Sequence, residues 1–207
     1  MKATPLLTGW TCRHLGDTAP GRPVTLPHDA MLAEPRTALS AGGVNTGWYE
    51  GYDYEYQRTL TVPENELSDT HILEFEGVYH NAEVWLNGQK AAFRPYGYTN
   101  FYVDCAPFLR AGDNELRVIA RNADQPNSRW YSGAGLYRPV QLWTAGDKHI
   151  LLNGVRIRTV SLEPAVVEIR VRTSAPGTVQ LMVEGLPTVR KESDGEAVFT
   201  LTIDNAR

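Results

Sequence analysis

The stretch Ala82-Glu83-Val84-Trp85-Leu86-Asn87-Gly88 decides how this chain is read. Ala82, Val84 and Leu86 fall on one side of an extended segment, with Glu83 and Trp85 on the other. That is the two-residue period of a strand with one buried face. Asn87-Gly88 closes the strand, because both residues tolerate the positive φ that a type I′ hairpin turn requires. Asn87 is read as a turn former, not as a ligand residue.

Working outward, the same period recurs on both sides. Upstream, Tyr54, Tyr56, Leu60 and Val62 alternate, and the strand from His71 to Val78 turns Leu73 and Phe75 inward. Downstream, Phe101, Val103 and Cys105 alternate. Gly112-Asp113-Asn114 turns the chain, and Leu116, Val118 and Ala120 then face inward on the next strand. Val140 and Leu142 add another. At least six strands and no helical period predict an all-β protein, a β-sandwich of jelly-roll type.

Residues 1–50 carry many Pro and Gly and little periodicity, and are expected to wrap a sheet more than build one. Within them Val24-Thr25-Leu26 is a short apolar strand that stops at Pro27, so His28 and Asp29 project polar groups from a turn. Two readings stand open for that pair: the rim of a site, or the cap of a turn. Ala41 to Gly51 is a flexible loop whose Trp48 and Tyr49 read as structural first and as sugar contacts second. The chain has 207 residues and a net charge of −4. Without a basic run, neither nucleic acid nor an anionic membrane is expected as a partner. No apolar run approaches the roughly 18 residues of a membrane span. The start has no signal-like apolar core, so a cytoplasmic protein is expected if that start is the natural one. Cys12 and Cys105 then read as reduced thiols, without the spacing of a metal site.

Asn127 to Val140 reads Asn-Ser-Arg-Trp-Tyr-Ser-Gly-Ala-Gly-Leu-Tyr-Arg-Pro-Val. Aromatic faces stack on the C–H side of a pyranose, and Arg, Asn and Ser bond its hydroxyls. The alternative is a buried aromatic loop sealing one end of the sandwich. The run from Gln125 to Arg138 resembles the motif near the end of the first domain of family 2 glycoside hydrolases, the β-galactosidase and β-glucuronidase superfamily. Leu26-Pro27-His28-Asp29 and Ala82-x-Val84-x-Leu86-Asn87-Gly88 resemble motifs of the same domain, with Ala30 where many members have Trp. The resemblance implies a galactose-binding-like jelly roll over residues 1–145. It also implies that Asn127, Arg129, Trp130, Tyr131 and Arg138, with His28 and Asp29 behind them, are substrate-binding candidates. Some β-galactosidases carry an acidic residue near the position of Arg129. Arg138 also reads as a structural ion pair.

After Ala145 the composition changes: no Trp or Tyr follows, and only one Phe. Val155, Ile157 and Thr159 alternate, then Val167, Ile169 and Val171, then Val179, Leu181 and Val183, and finally Phe199, Leu201 and Ile203. These predict an immunoglobulin-like sandwich over residues 146–207. About 60 residues is short for seven strands, so a fragment of a longer protein is expected.

Hydrolysis of a glycoside needs two carboxyl groups roughly 5 to 9.5 Å apart. No pair among the 24 acidic residues suggests it. Glu50, Asp53 and Glu55 cluster, but Glu55 alternates with buried tyrosines and reads as solvent-facing. The resemblance implies that the catalytic glutamates belong to a barrel that follows these domains. No catalytic residue, cofactor or metal is therefore expected here. The expected role is a non-catalytic N-terminal fragment, most closely of β-galactosidase type, with a β-linked glycoside and the missing barrel as partners. An independent carbohydrate-binding module and a structural domain mediating homo-oligomer contacts remain the alternatives.

Overall fold

The computed structural model describes residues 1–203. Its contacts divide the chain into two units, Lys2–Thr144 and the chain from Ala145 onward.

The first unit is a sandwich of two antiparallel sheets. Ten strands build it: β1 (Lys2–Pro5), β2 (Trp10–His14), β3 (Arg22–Val24), β4 (Asp53–Val62), β5 (Thr70–Phe75), β6 (Ala82–Leu86), β7 (Gln89–Arg94), β8 (Phe101–Asp104), β9 (Gly112–Arg121) and β10 (Val140–Ala145). One sheet has the order β1-β10-β5-β8 and the other β3-β2-β4-β9-β6-β7. The β6–β7 hairpin has Leu86 opposite Gln89, with Asn87 at φ 48° and Gly88 at φ 78°. Asn87 does more than turn. Its amide donates to Phe108 O and Asn114 Oδ1, and its own oxygen accepts from Glu115 N, tying the hairpin to the start of β9 and the loop before it.

The alternating residues form one core. Trp10, Tyr54, Tyr56, Leu73, Phe75, Val84, Leu86, Leu116, Val118 and Val140 all belong to it. Phe75 and Phe101 stack across β5 and β8 at 4.9 Å. Two expectations are corrected. The first 50 residues do build the sheets, since β1 pairs with β10 and β2 lies between β3 and β4. Their strands are short and broken by Pro and Gly, too brief to show a period. Glu55 does lie on the face opposite the tyrosines, yet it is only 4% exposed. Arg13 and Arg117 from the flanking strands reach over it and pair with it. Arg117 also lies 4.9 Å above the Trp85 ring. Long cationic stems roof that face, so alternation there does not mean solvent.

The second unit has a three-stranded sheet, β11 (Ile150–Leu162), β12 (Ala165–Thr173) and β15 (Glu196–Ile203), and a two-stranded one, β13 (Gly177–Leu181) and β14 (Val189–Ser193). Its core is Ile169, Val171, Val179, Ala197 and Phe199. Val155 and Ile157 stand opposite Val171 and Ile169 and so share their face. Although they share that face, they are 49% and 70% exposed. The residues of β13 and β14 pack on β12 and β15, and no residue of β11 joins the cluster. Val183 lies in the loop after β13, not on a strand.

Candidate functional site

The loop after β9 has two parts with opposite characters. Gly133 to Leu136 is a buried ribbon bonded on both sides. Gly135 exchanges hydrogen bonds with Tyr79, at 2.8 and 3.0 Å. On the other side Ala30 N donates to Ala134 O and His28 N to Leu136 O. Gly135 sits at φ +87°, and a Cβ there would lie 2.1 Å from Tyr56 Oη, so only glycine fits.

Asp29 holds the same ribbon. Its Oδ1 accepts from Met31 N at 3.1 Å and Ala134 N at 3.0 Å, and its Oδ2 accepts from Tyr131 Oη at 2.6 Å. Burial, then the bond to Asp29, raises the Tyr131 hydroxyl pKa. His28 Nδ1 lies 2.8 Å from Tyr56 Oη, and burial lowers the imidazole pKa against the opposing pull of Asp29. Tyr131 leans toward Tyr49, with ring centroids 6.0 Å apart.

The tip of the loop faces elsewhere. Trp130 is 60% exposed and its Nε1 donates to Tyr98 Oη at 2.9 Å. Trp130 lines an open cleft of about 540 Å³ with Tyr79, Tyr96, Tyr98, His80 and Arg129. Tyr96 is also exposed, and its ring meets Tyr98 edge-on at 5.6 Å. Arg129 is exposed and makes no hydrogen bond or ion pair among the described residues. Asn127 borders the cleft, but its amide nitrogen lies within hydrogen-bond distance of His80 Nε2, Asn122 Oδ1 and Asp124 O, while its oxygen accepts from Tyr79. His80 Nε2 must be an acceptor there, which fits the downward shift that burial gives its pKa. Arg138 forms no ion pair among the described residues, so the structural ion pair read from the sequence is corrected. It donates to Tyr98 O and Glu76 O and stacks on Tyr137 at 5.2 Å, bracing the Tyr98 segment from behind.

The seven candidates are thus not gathered at one place. Arg129 and Trp130 present free groups to the cleft, and Asn127 shapes its wall. His28, Asp29 and Tyr131 belong to the clamp around the ribbon, and Arg138 to a brace. The sequence reading missed Tyr79, His80, Tyr96 and Tyr98. The density of tyrosines around Gly97 was the available signal: a Cβ at Gly97 would lie 2.5 Å from the Tyr79 ring. The cleft is lined by no carboxylate. It can stack C–H surface and donate from a guanidinium, but holds no acid/base pair. No group of three or more His, Cys, Asp or Glu among the described residues could hold a metal.

Fold and cleft together define the class, a galactose-binding-like jelly-roll sandwich. Residues 23–161 match the family described as glycosyl hydrolase 2 galactose-binding domain-like, and the chain belongs to that family. It is 37% identical over 161 residues to a β-galactosidase of Bacteroides ovatus, covering 72% of this chain and 19% of that protein. To a β-glucuronidase of Formosa agariphila it is 25% identical over 125 residues, covering 51% of this chain and 13% of the relative. The crystal structure of a β-glycosidase from Bacteroides vulgatus superposes with a TM-score of 0.82 at 25% identity, over 98% of this chain and 29% of that one. The chain spans 14% and 19% of the first two curated relatives it matches.

Proposed function

We propose that this chain is the non-catalytic N-terminal part of a family 2 glycoside hydrolase, most closely of β-galactosidase type. In this reading it supports the sugar subsite and the catalytic barrel, and it presents the Trp130 cleft to the non-reacting part of a β-linked glycoside. The single observation that carries it is the cleft itself, with exposed Trp130 and Tyr96 rings beside the unpaired Arg129. Family membership and the small share of each relative that the chain covers support the placement. The uncovered inner face of β11 fits a unit that continues into further structure. Burial holds the pKa of Cys12 at about 11 and that of Cys105 at about 12, so both stay thiols at neutral pH.

The test begins with the native mass in source-cell extract, using an antibody raised to this chain. A band several times the chain's 23.1 kDa supports the reading, whereas a band at that mass overturns the fragment assignment. In the longer enzyme, Trp130→Ala is expected to raise KM for a β-galactoside with little change in kcat. The isolated chain is expected not to turn over a chromogenic β-galactoside. Tight sugar binding by the isolated chain, abolished by Trp130→Ala, would instead make it an independent carbohydrate-binding module.

A further inference from the structure

The second unit carries an arginine array that nothing above uses. On the face of the three-stranded sheet opposite its core, β11 presents Arg156 and Arg158, β12 presents Glu168, Arg170 and Arg172, and β15 presents Glu196. These six side chains line a shallow groove of about 400 Å³. Its floor includes Gly154, where a Cβ would lie 2.7 Å from Leu151 O and 2.9 Å from Arg172 O.

The register of the groove is unusual for a structural surface. Arg156 stands directly opposite Arg170, and like charges in that position destabilise a strand pair. Glu168 accepts from Arg170 at 2.9 Å and lies 3.9 Å from Arg158, while Glu196 lies 3.5 Å from Arg170. The two acids are therefore shared between Arg158 and Arg170. Arg156 and Arg172 have no hydrogen-bond or ion-pair partner among the described residues. Two free guanidinium groups thus flank two carboxylates that have oxygens left to accept. Neighbouring strands lie about 4.8 Å apart and alternate residues of one strand about 6.8 Å apart, so one small ligand can reach several of these groups.

We propose that this groove is a binding site for oligosaccharides bearing uronic-acid carboxylates. The chemistry selects that class by exclusion. A neutral sugar can bond Arg156 and Arg172 only through hydroxyls and leaves their charge unmatched. Inorganic phosphate answers them, but it sets a compact anion of higher charge beside Glu168 and Glu196, with too few hydroxyls at too short a span to donate to both. An acidic sugar supplies a planar carboxylate that a guanidinium bonds through two parallel contacts, together with hydroxyls that donate to the glutamates. The site is separate from the Trp130 cleft, and it stands or falls independently of the function proposed for that cleft.

The test is calorimetric titration of the whole chain with trigalacturonate, against neutral galactotriose, inorganic phosphate and a hexaglutamate peptide. Binding of trigalacturonate alone is expected, weakening between about 20 mM and about 300 mM salt as charge pairs are screened. The Arg156→Gln/Arg172→Gln double variant is expected to bind about tenfold more weakly or worse, the scale of one lost charged hydrogen bond. Both side chains are exposed, and removing Arg156 relieves the like-charge pair, so the variant should keep the wild-type far-UV circular dichroism. As a second readout, Arg side-chain NMR signals of the wild type should shift with trigalacturonate at Arg156 and Arg172. Absence of binding, equal binding of phosphate or hexaglutamate, or full binding by the double variant would each overturn the assignment.

Discussion

Replacing Asp29 decides whether its carboxylate is a clamp or a free ligand contact. In the structure Asp29 accepts three hydrogen bonds, and two of the donors, Met31 N and Ala134 N, belong to residues with no exposed surface. Asp29→Ala leaves both amides without a partner and out of reach of water. Each orphaned buried donor costs about 1–3 kcal/mol, and the Tyr131 hydroxyl, which can rehydrate, adds about 1 kcal/mol, so the expected loss is about 3–7 kcal/mol. Asp29→Asn keeps an Oδ1 acceptor for the two amides, loses charge assistance and turns the Tyr131 contact round so that Nδ2 donates to the hydroxyl, with an expected cost of about 1 kcal/mol. Urea unfolding followed by tryptophan fluorescence isolates the effect, because all five tryptophans lie before Ala145 and report the first unit alone. An Asp29→Ala variant within about 1 kcal/mol of wild type would refute the clamp, since ordinary surface substitutions stay in that range.

Trp130→Ala should leave stability within about 1 kcal/mol of wild type, because the ring is mostly exposed; a chain that unfolds would show the ring to be core. Gly135→Ala should cost about 3 kcal/mol or more, since it adds strain at positive φ to an overlap with the buried Tyr56 hydroxyl; thermal melts check it. His28 and His80 both have pKa values depressed chiefly by burial. The stability they contribute is present above an ordinary histidine pKa of about 6.5 and falls as pH drops through their lower folded values, by up to about 1.4 kcal/mol per pH unit for each proton taken up. Urea midpoints at descending pH should fall less steeply for His80→Gln than for wild type, and equal slopes would remove His80 from the account. Glu55→Ala should cost about 2 kcal/mol, below the usual penalty for breaking a buried pair because Arg13 and Arg117 are each about a quarter exposed and can rehydrate; differential unfolding in urea measures it.

The strands were legible wherever one face is core and the segment is long enough to repeat. Tyr54 to Val62, Ala82 to Leu86 and Leu116 to Ala120 declare themselves by period alone. What the period does not carry is the fate of the opposite face. Glu55 reads as solvent because alternation reports direction, while its burial depends on arginines distant in the chain, on β2 and β9. Val155 and Ile157 show the converse: they point inward by register, yet no second layer among the described residues covers them. The loop from Asn127 onward was legible as chemistry but not as geometry. Its single motif divides at Ser132 into an exposed tip and a buried ribbon, and the tyrosines that complete the cleft arrive from Tyr79 and from Tyr96 to Tyr98. Convergence of separate loops leaves no local period, so only the aromatic density gave notice of it.

The two-sided pairing of Gly133 to Leu136 has a consequence for engineering. A ribbon bonded to Tyr79 on one edge and to His28 and Ala30 on the other acts as a fixed socket, and its anchoring does not depend on the side chains of Ser128 to Trp130. Those three positions form an exchangeable bit in that socket. Libraries randomised at Ser128, Arg129 and Trp130 should return folded variants at high frequency, and ligand preference becomes a property that can be swapped without redesigning the sandwich beneath it.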